Sequence, residues 1–144
     1  MKKLLYAFCL IIPFLVSCRY EESSFSLQKP ENRLVGSWLL QETLLNGQSI
    51  DTSVYDANIP GMNYYSFYYY GPLSITSFIN SSVVDSKSGS WELADKNRNL
   101  KIFLLHYNKT YNYKAEILKL SNKELKYRYL DTQGDEWTLH LFKR

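Results

Sequence analysis

Leu100-Lys101-Ile102-Phe103-Leu104-Leu105-His106-Tyr107 is followed by Asn108-Lys109 and then by Tyr111-Asn112-Tyr113-Lys114-Ala115-Glu116-Ile117-Leu118-Lys119-Leu120. The first arm is apolar on both faces, and the second alternates with the period of a strand. So short a link joins antiparallel neighbours, because a parallel pair needs a crossover of about a dozen residues or more. The same grammar continues downstream. Glu124–Leu130 and Glu136–Phe142 alternate in turn, separated by Ser121-Asn122-Lys123 and by Asp131-Thr132-Gln133-Gly134. Upstream, Gly89-Ser90-Trp91-Glu92-Leu93 opens another strand, which the polar run Asp95–Asn99 stops.

Nearer the N-terminus, Val35–Thr43, Asn63–Tyr70 and Leu73–Asn80 also read as strands. Asn46-Gly47 is a turn signal, and Gly71-Pro72 breaks the tyrosine-rich run. Ser81–Ser88 reads as a polar turn region around Val83-Val84. Gln48–Met62 is the least regular stretch, a lid or binding loop on one reading and a disordered loop on the other. Eight strand candidates with short links, and no window holding an amphipathic helix of three turns, predict an all-β fold. The expected architecture is an eight-stranded antiparallel up-and-down barrel, since closure removes the exposed edges of an open sheet. Alternation aims Trp38, Leu40, Trp91, Leu93, Ile102 and Leu104 inward, along with Ala115, Ile117, Leu125, Tyr127, Leu139 and Leu141.

The chain starts differently. Lys2 and Lys3 precede an apolar run from Leu4 to Val16, and Leu15-Val16-Ser17-Cys18 closes it. Charge, short apolar middle and small residue are the layout of a secretory signal. A membrane-crossing helix wants about 20 apolar residues, more than this run supplies. The ending resembles a bacterial lipobox, which implies cleavage before Cys18 and acyl chains such as palmitate on the new N-terminus. The expected division is then a signal peptide over 1–17, a lipidated, flexible linker over 18–33, and a barrel domain over 34–144. Arg19–Glu31 is too polar to repay its own ordering and reads as a tether. Glu21-Glu22 resembles the acidic export signal of surface lipoproteins in the Bacteroidota, although a solvated linker has the same composition. Attachment to the outer membrane of a Gram-negative cell envelope follows from these resemblances.

Composition narrows function. Lys and Arg number 17 against 14 Asp and Glu. Loss of the two leader lysines leaves 15 against 14, a net charge of +1. No basic stripe speaks for nucleic acid. With Cys9 in the leader and Cys18 acylated, the domain holds no disulfide and must stand on burial. His106 and His140 fall on separate strands, with no spacing that converges on a metal. No phosphate loop and no nucleophile elbow are present, so no catalytic residue and no cofactor are expected. The carboxylates Asp131, Asp135 and Glu136 read as a solvated hairpin.

Leu34-Val35-Gly36-Ser37-Trp38 is similar to the G-x-W signature of lipocalins. Gly89-Ser90-Trp91-Glu92-Leu93, Leu100-Lys101-Ile102 and the tail from Tyr113 through Leu125 to Trp137 resemble the small lipocalin-like lipoproteins of Bacteroidota. The resemblance covers most of 34–144 and implies a barrel. It gives Gly36 and Trp38 a structural place at the barrel bottom, and it implies a small hydrophobic or amphipathic ligand. The chain departs from true lipocalins in having no recognisable C-terminal helix and no disulfide.

Tyrosine supplies the candidate binding surface. A regular strand puts Tyr64, Tyr68 and Tyr70 on one face and Tyr65, Phe67 and Tyr69 on the other. Tyr64, Tyr68, Tyr70, Trp91 and Tyr127 form the candidate ligand-binding set. Tyrosine suits such work, with a rigid ring and a polar tip, and cross-strand packing explains the same residues without a ligand. Two readings stand: a barrel that carries a ligand in its lumen, or a filled barrel that takes glycan or protein on an outer aromatic face. A lumen without a cavity near about 300 Å³ would remove the first.

Overall fold

The computed structural model describes residues 28–50, 62–79 and 81–144. The leader, Cys18 and most of the linker lie outside the described residues. So do residues 51–61 of the irregular stretch.

Among the described residues a short helix, α1 (Pro30–Leu34), leads into nine strands. These are β1 (Gly36–Leu45), β2 (Gln48–Ile50), β3 (Met62–Phe67), β4 (Pro72–Ile79), β5 (Ser82–Ala94), β6 (Asn99–His106), β7 (Lys109–Leu120), β8 (Glu124–Leu130) and β9 (Glu136–Lys143). All pair antiparallel in chain order, and β1 closes the ring on β9. On its other edge β1 pairs β3 through Gly36–Leu39 and β2 through Thr43–Leu45. β2 and β3 are therefore two pieces of one strand position, and the barrel has eight positions. The sheet is the expected up-and-down barrel.

Three extra residues tune the ladder. Register skips Gln41 in β1, Val84 in β5 and Leu118 in β7. Each bulge adds local twist and restarts the alternation one residue later. Leu40 and Thr43 therefore both face the lumen. Gly89 answers a different demand: a Cβ there would stand 1.9 Å from the Phe103 carbonyl oxygen. β5 and β6 come so close that only glycine fits.

The up-and-down path gathers α1, the β3–β4, β5–β6 and β7–β8 turns and the C-terminus at one end. The β1–β2, β4–β5, β6–β7 and β8–β9 turns stand at the other. α1 closes the first end. Leu34 and Trp38 are fully buried, and the Trp38 indole N–H donates to the Leu34 carbonyl at 2.7 Å. Buried Arg33 donates from Nη1 to the Leu120 carbonyl at 3.0 Å. Lys143 Nζ crosses the Trp38 ring 5.1 Å from its centre and donates to the Arg33 carbonyl. Gly36 makes room for that lysine, at a φ of +132° that a side chain disfavours.

Four expectations need correction. Ser81–Ser88 is not a turn: β5 begins at Ser82, and Ser81, at φ +66°, carries the bend. Alternation counted back from Trp91 reaches Asp85, and polar residues on that face hid the strand. The β6–β7 link is Tyr107-Asn108, one residue earlier than read, with Tyr107 at φ +51°. The tyrosine run is not one strand to Tyr70. It ends at Phe67, and Tyr70, at φ +67°, sits in the turn before Gly71. Finally, Pro30–Arg33 is not flexible linker but part of the helix that closes the barrel.

Candidate functional site

The lumen changes character along its axis. Its closed half is packed with Trp38, Phe67, Trp91, Leu100, Ile102 and Leu125, all buried. Towards the open end, polar side chains take inward positions. Ser77 donates to Asn63 Oδ1 at 2.5 Å, and both are buried. Next comes His106, whose Nε2 lies 2.8 Å from Asp85 Oδ1. Both side chains of that pair are mostly shielded from solvent.

Here the barrel is not filled. A recess of about 900 Å³ opens at the mouth. Ile75 and Leu104 lie at its apolar floor. Tyr111, Tyr113, Tyr129 and Trp137 give it aromatic walls, with Tyr113 and Tyr129 stacked at 4.1 Å. Asp85 and Lys87 bring charge to one side, beside the His106 ring. Asp131 stands at the rim. Its Oδ2 accepts the Trp137 indole N–H at 2.9 Å, and its Oδ1 accepts the backbone N–H groups of Gln133 and Asp135. The Trp137 bond, followed by those backbone donors, holds the Asp131 carboxyl below its ordinary value. Asn46 ties the β1–β2 turn to the same loop, donating to Asp135 Oδ1 and accepting from the Glu136 backbone. The Trp137 wall is thus fixed by two turns at once.

The candidate ligand-binding residues do not converge on this recess. Tyr127 is fully buried in the packed lumen. Trp91 sits at the closed end, edge-on to Phe67 at 6.0 Å, and its indole donates to the Tyr68 carbonyl. Tyr64 faces outward on the wall, its ring edge-on to Phe78 at 5.4 Å with the Arg144 guanidinium 5.3 Å away. It borders an outer groove with Met62, Ser66 and Thr76. Tyr68 and Tyr70 stand in the closed-end turn, the latter fully exposed. The scatter follows from the tyrosine run leaving the sheet after Phe67. Gly36 and Trp38 lie at the closed end, as described above.

Sequence reading missed Asp85 and Lys87, because their strand was taken for a turn. It weighed His106 only as a metal ligand and set it aside. Continuing the inward register from Trp91 through Gly89 places Lys87 and Asp85 on the lumen side, and that signal was available. His140 is bound to Glu124 at 2.7 Å on the outside of the barrel, far from His106 in the fold. Among the described residues no group of His, Cys, Asp and Glu is placed to hold a metal.

No family model and no curated protein matches the sequence. Two solved structures are similar in fold. A lipocalin-like protein from Bacteroides uniformis superposes with a TM-score of 0.51 at 16% identity, over 78% of this chain and 98% of that one. A redesigned beta barrel gives a TM-score of 0.51 at 12% identity, over 83% and 99% of the two chains. At these identities the likeness is one of fold, and the chain is a lipocalin-like, eight-stranded antiparallel β-barrel.

Proposed function

We propose that the protein is a lipid-anchored carrier of the cell envelope, held through Cys18, whose barrel mouth takes a small amphipathic molecule. The observation that carries this reading is the recess of about 900 Å³. Small-molecule sites commonly span about 300–1,000 Å³, apolar with a few placed polar groups. The chemistry of the lining divides the ligand. An apolar or ring portion descends between Tyr111, Tyr113 and Trp137 towards Leu104. A polar head stays level with Asp85, Lys87 and His106. In this reading His106 and Asp85 recognise the head rather than transfer a proton, and the protein is not an enzyme.

The filled-barrel alternative loses its premise, because the mouth half of the lumen is open. Its outer tyrosine face is also divided, with Tyr64 on the wall and Tyr68 and Tyr70 on the end turn. Glycan or protein binding there has no comparable support.

Native mass spectrometry of the full chain from its own host tests the carrier. A co-purifying small molecule is expected, and Leu104→Trp, which fills the floor, should displace it. A chain that leaves the host empty, and also binds a fluorescent fatty-acid analogue equally well with and without Leu104→Trp, would overturn the reading. The anchor is tested separately: Cys18→Ser should abolish acyl labelling and release the protein from the membrane fraction.

A further inference from the structure

The end opposite the mouth carries its own surface chemistry. Tyr68, Tyr69 and Tyr70 are 53%, 60% and 104% exposed there. They project from a turn that is held hard. The Tyr68 carbonyl accepts from the Trp91 indole, the Tyr68 N–H donates to the Pro72 carbonyl, and the Trp91 N–H donates to the Gly71 carbonyl at 2.7 Å. Three aromatic rings are thus presented to water by a rigid mount rather than by a loose loop. Tyrosine, amphipathic and stiff, is enriched where membranes meet water.

Cations share this end of the barrel. Lys29 precedes α1, Lys96 and Arg98 lie in the β5–β6 turn, Lys123 lies in the β7–β8 turn, and Arg144 ends the chain. Among the described residues, Lys29, Lys96, Arg98 and Lys123 make no side-chain ion pair. The acids at this end are mostly engaged elsewhere. Asp95 is bound to Lys114, and Glu124 is bound to Lys119 and His140. Glu31 remains. At the mouth Asp85 is bound to His106 and Glu136 to Arg128, which leaves Asp131 and Asp135 beside Lys87 and Lys109, so cations do not outnumber acids there.

The chain also enters the barrel at the tyrosine end. Cys18 precedes Pro30 by 12 residues. A chain of that length cannot exceed about 40 Å. An acyl group on Cys18 therefore keeps the closed end within that distance of the bilayer, where weak contacts act at high effective concentration.

We infer that the closed end of the barrel is a seat for an anionic lipid surface, with Tyr68, Tyr69 and Tyr70 at the headgroup level and Lys96, Arg98 and Lys123 on the lipid phosphates, so that the mouth points away from the membrane. The proximity argument rests on the anchored reading above; the aromatic and cationic surface does not.

Two reporters separate the ends: Tyr69→Trp at the closed end and Leu130→Trp, 63% exposed, at the mouth. The full chain is placed on phosphatidylcholine vesicles with and without phosphatidylglycerol, with bromine on the lipid chains near the headgroup as quencher. The emission added by Tyr69→Trp should be quenched on the anionic vesicles and that added by Leu130→Trp should not. Combining Lys96→Glu with Arg98→Glu should cut the quenching severalfold. Stronger quenching at Leu130→Trp, or none at either reporter, overturns the inference. Flotation with neutral vesicles at high salt reads the anchor alone. If the chain fails to float, the anchor is wrong, and quenching of Tyr69→Trp on anionic vesicles at low salt still decides the seat.

Discussion

Single residues show how little freedom this barrel leaves. Gly89 sits where a methyl group would overlap the Phe103 carbonyl. Gly89→Ala must therefore part β5 from β6 or tilt their register. The expected loss is about 3 kcal/mol or more, at the upper end of overpacking costs, read by urea unfolding. A change below about 0.5 kcal/mol, typical of open surface sites, would deny the close approach. Trp38 works by filling and by bonding. Trp38→Ala should cost about 3–5 kcal/mol as a buried cavity. Trp38→Phe keeps the ring but orphans the Leu34 carbonyl, a smaller loss of about 1–3 kcal/mol. A Phe variant as damaged as the Ala variant would shift the weight from packing to the 2.7 Å bond.

At the scale of elements, the β8–β9 loop organises the mouth. Asp131 accepts from an indole and from two backbone groups, so its charged form is favoured in the fold. A folded value lowered below the ordinary 3.8 means the unfolded chain binds protons first as pH falls. The stabilisation is whole above pH 3.8 and is lost as pH drops through the lowered folded value. Asp131→Asn should therefore lower Tm most at neutral pH, with the gap to the parent protein narrowing below pH 3.8. Thermal melts across the acid range check this, and a constant gap would count against it. α1 teaches a complementary lesson. Five residues are too few to hold a helix alone. Leu34, Arg33 and the Lys143 contact secure it from the barrel.

For the whole molecule, closure by β1 on β9 is the decisive contact. It runs from Trp38–Lys143 to Leu45–Trp137. Deleting 136–144 would bare an edge on β1 and another on β8, and paired edges are what keep such sheets from stacking on each other. The truncated chain should aggregate, visible as light scattering, and should lose the near-ultraviolet signal of a packed core. A soluble monomer after truncation would mean that the open sheet is stable by itself. Closure also creates a lumen with two ends: one plugged by α1 and Trp38, the other left open.

The repeating alternation and short turns determined the class, the antiparallel order and the inward set from Trp38 to Leu141, because period two and loop length are local properties that any strand pair must obey. Tertiary packing decided the rest. The inward side of Asp85 and Lys87 was legible from the register of Trp91, but their meeting with His106 in one recess, and the scatter of Tyr64, Tyr68 and Tyr70, depend on where strands and turns fall once the sheet curls shut. A recess exists only between walls brought together from distant parts of the chain. No single stretch of sequence carries its shape.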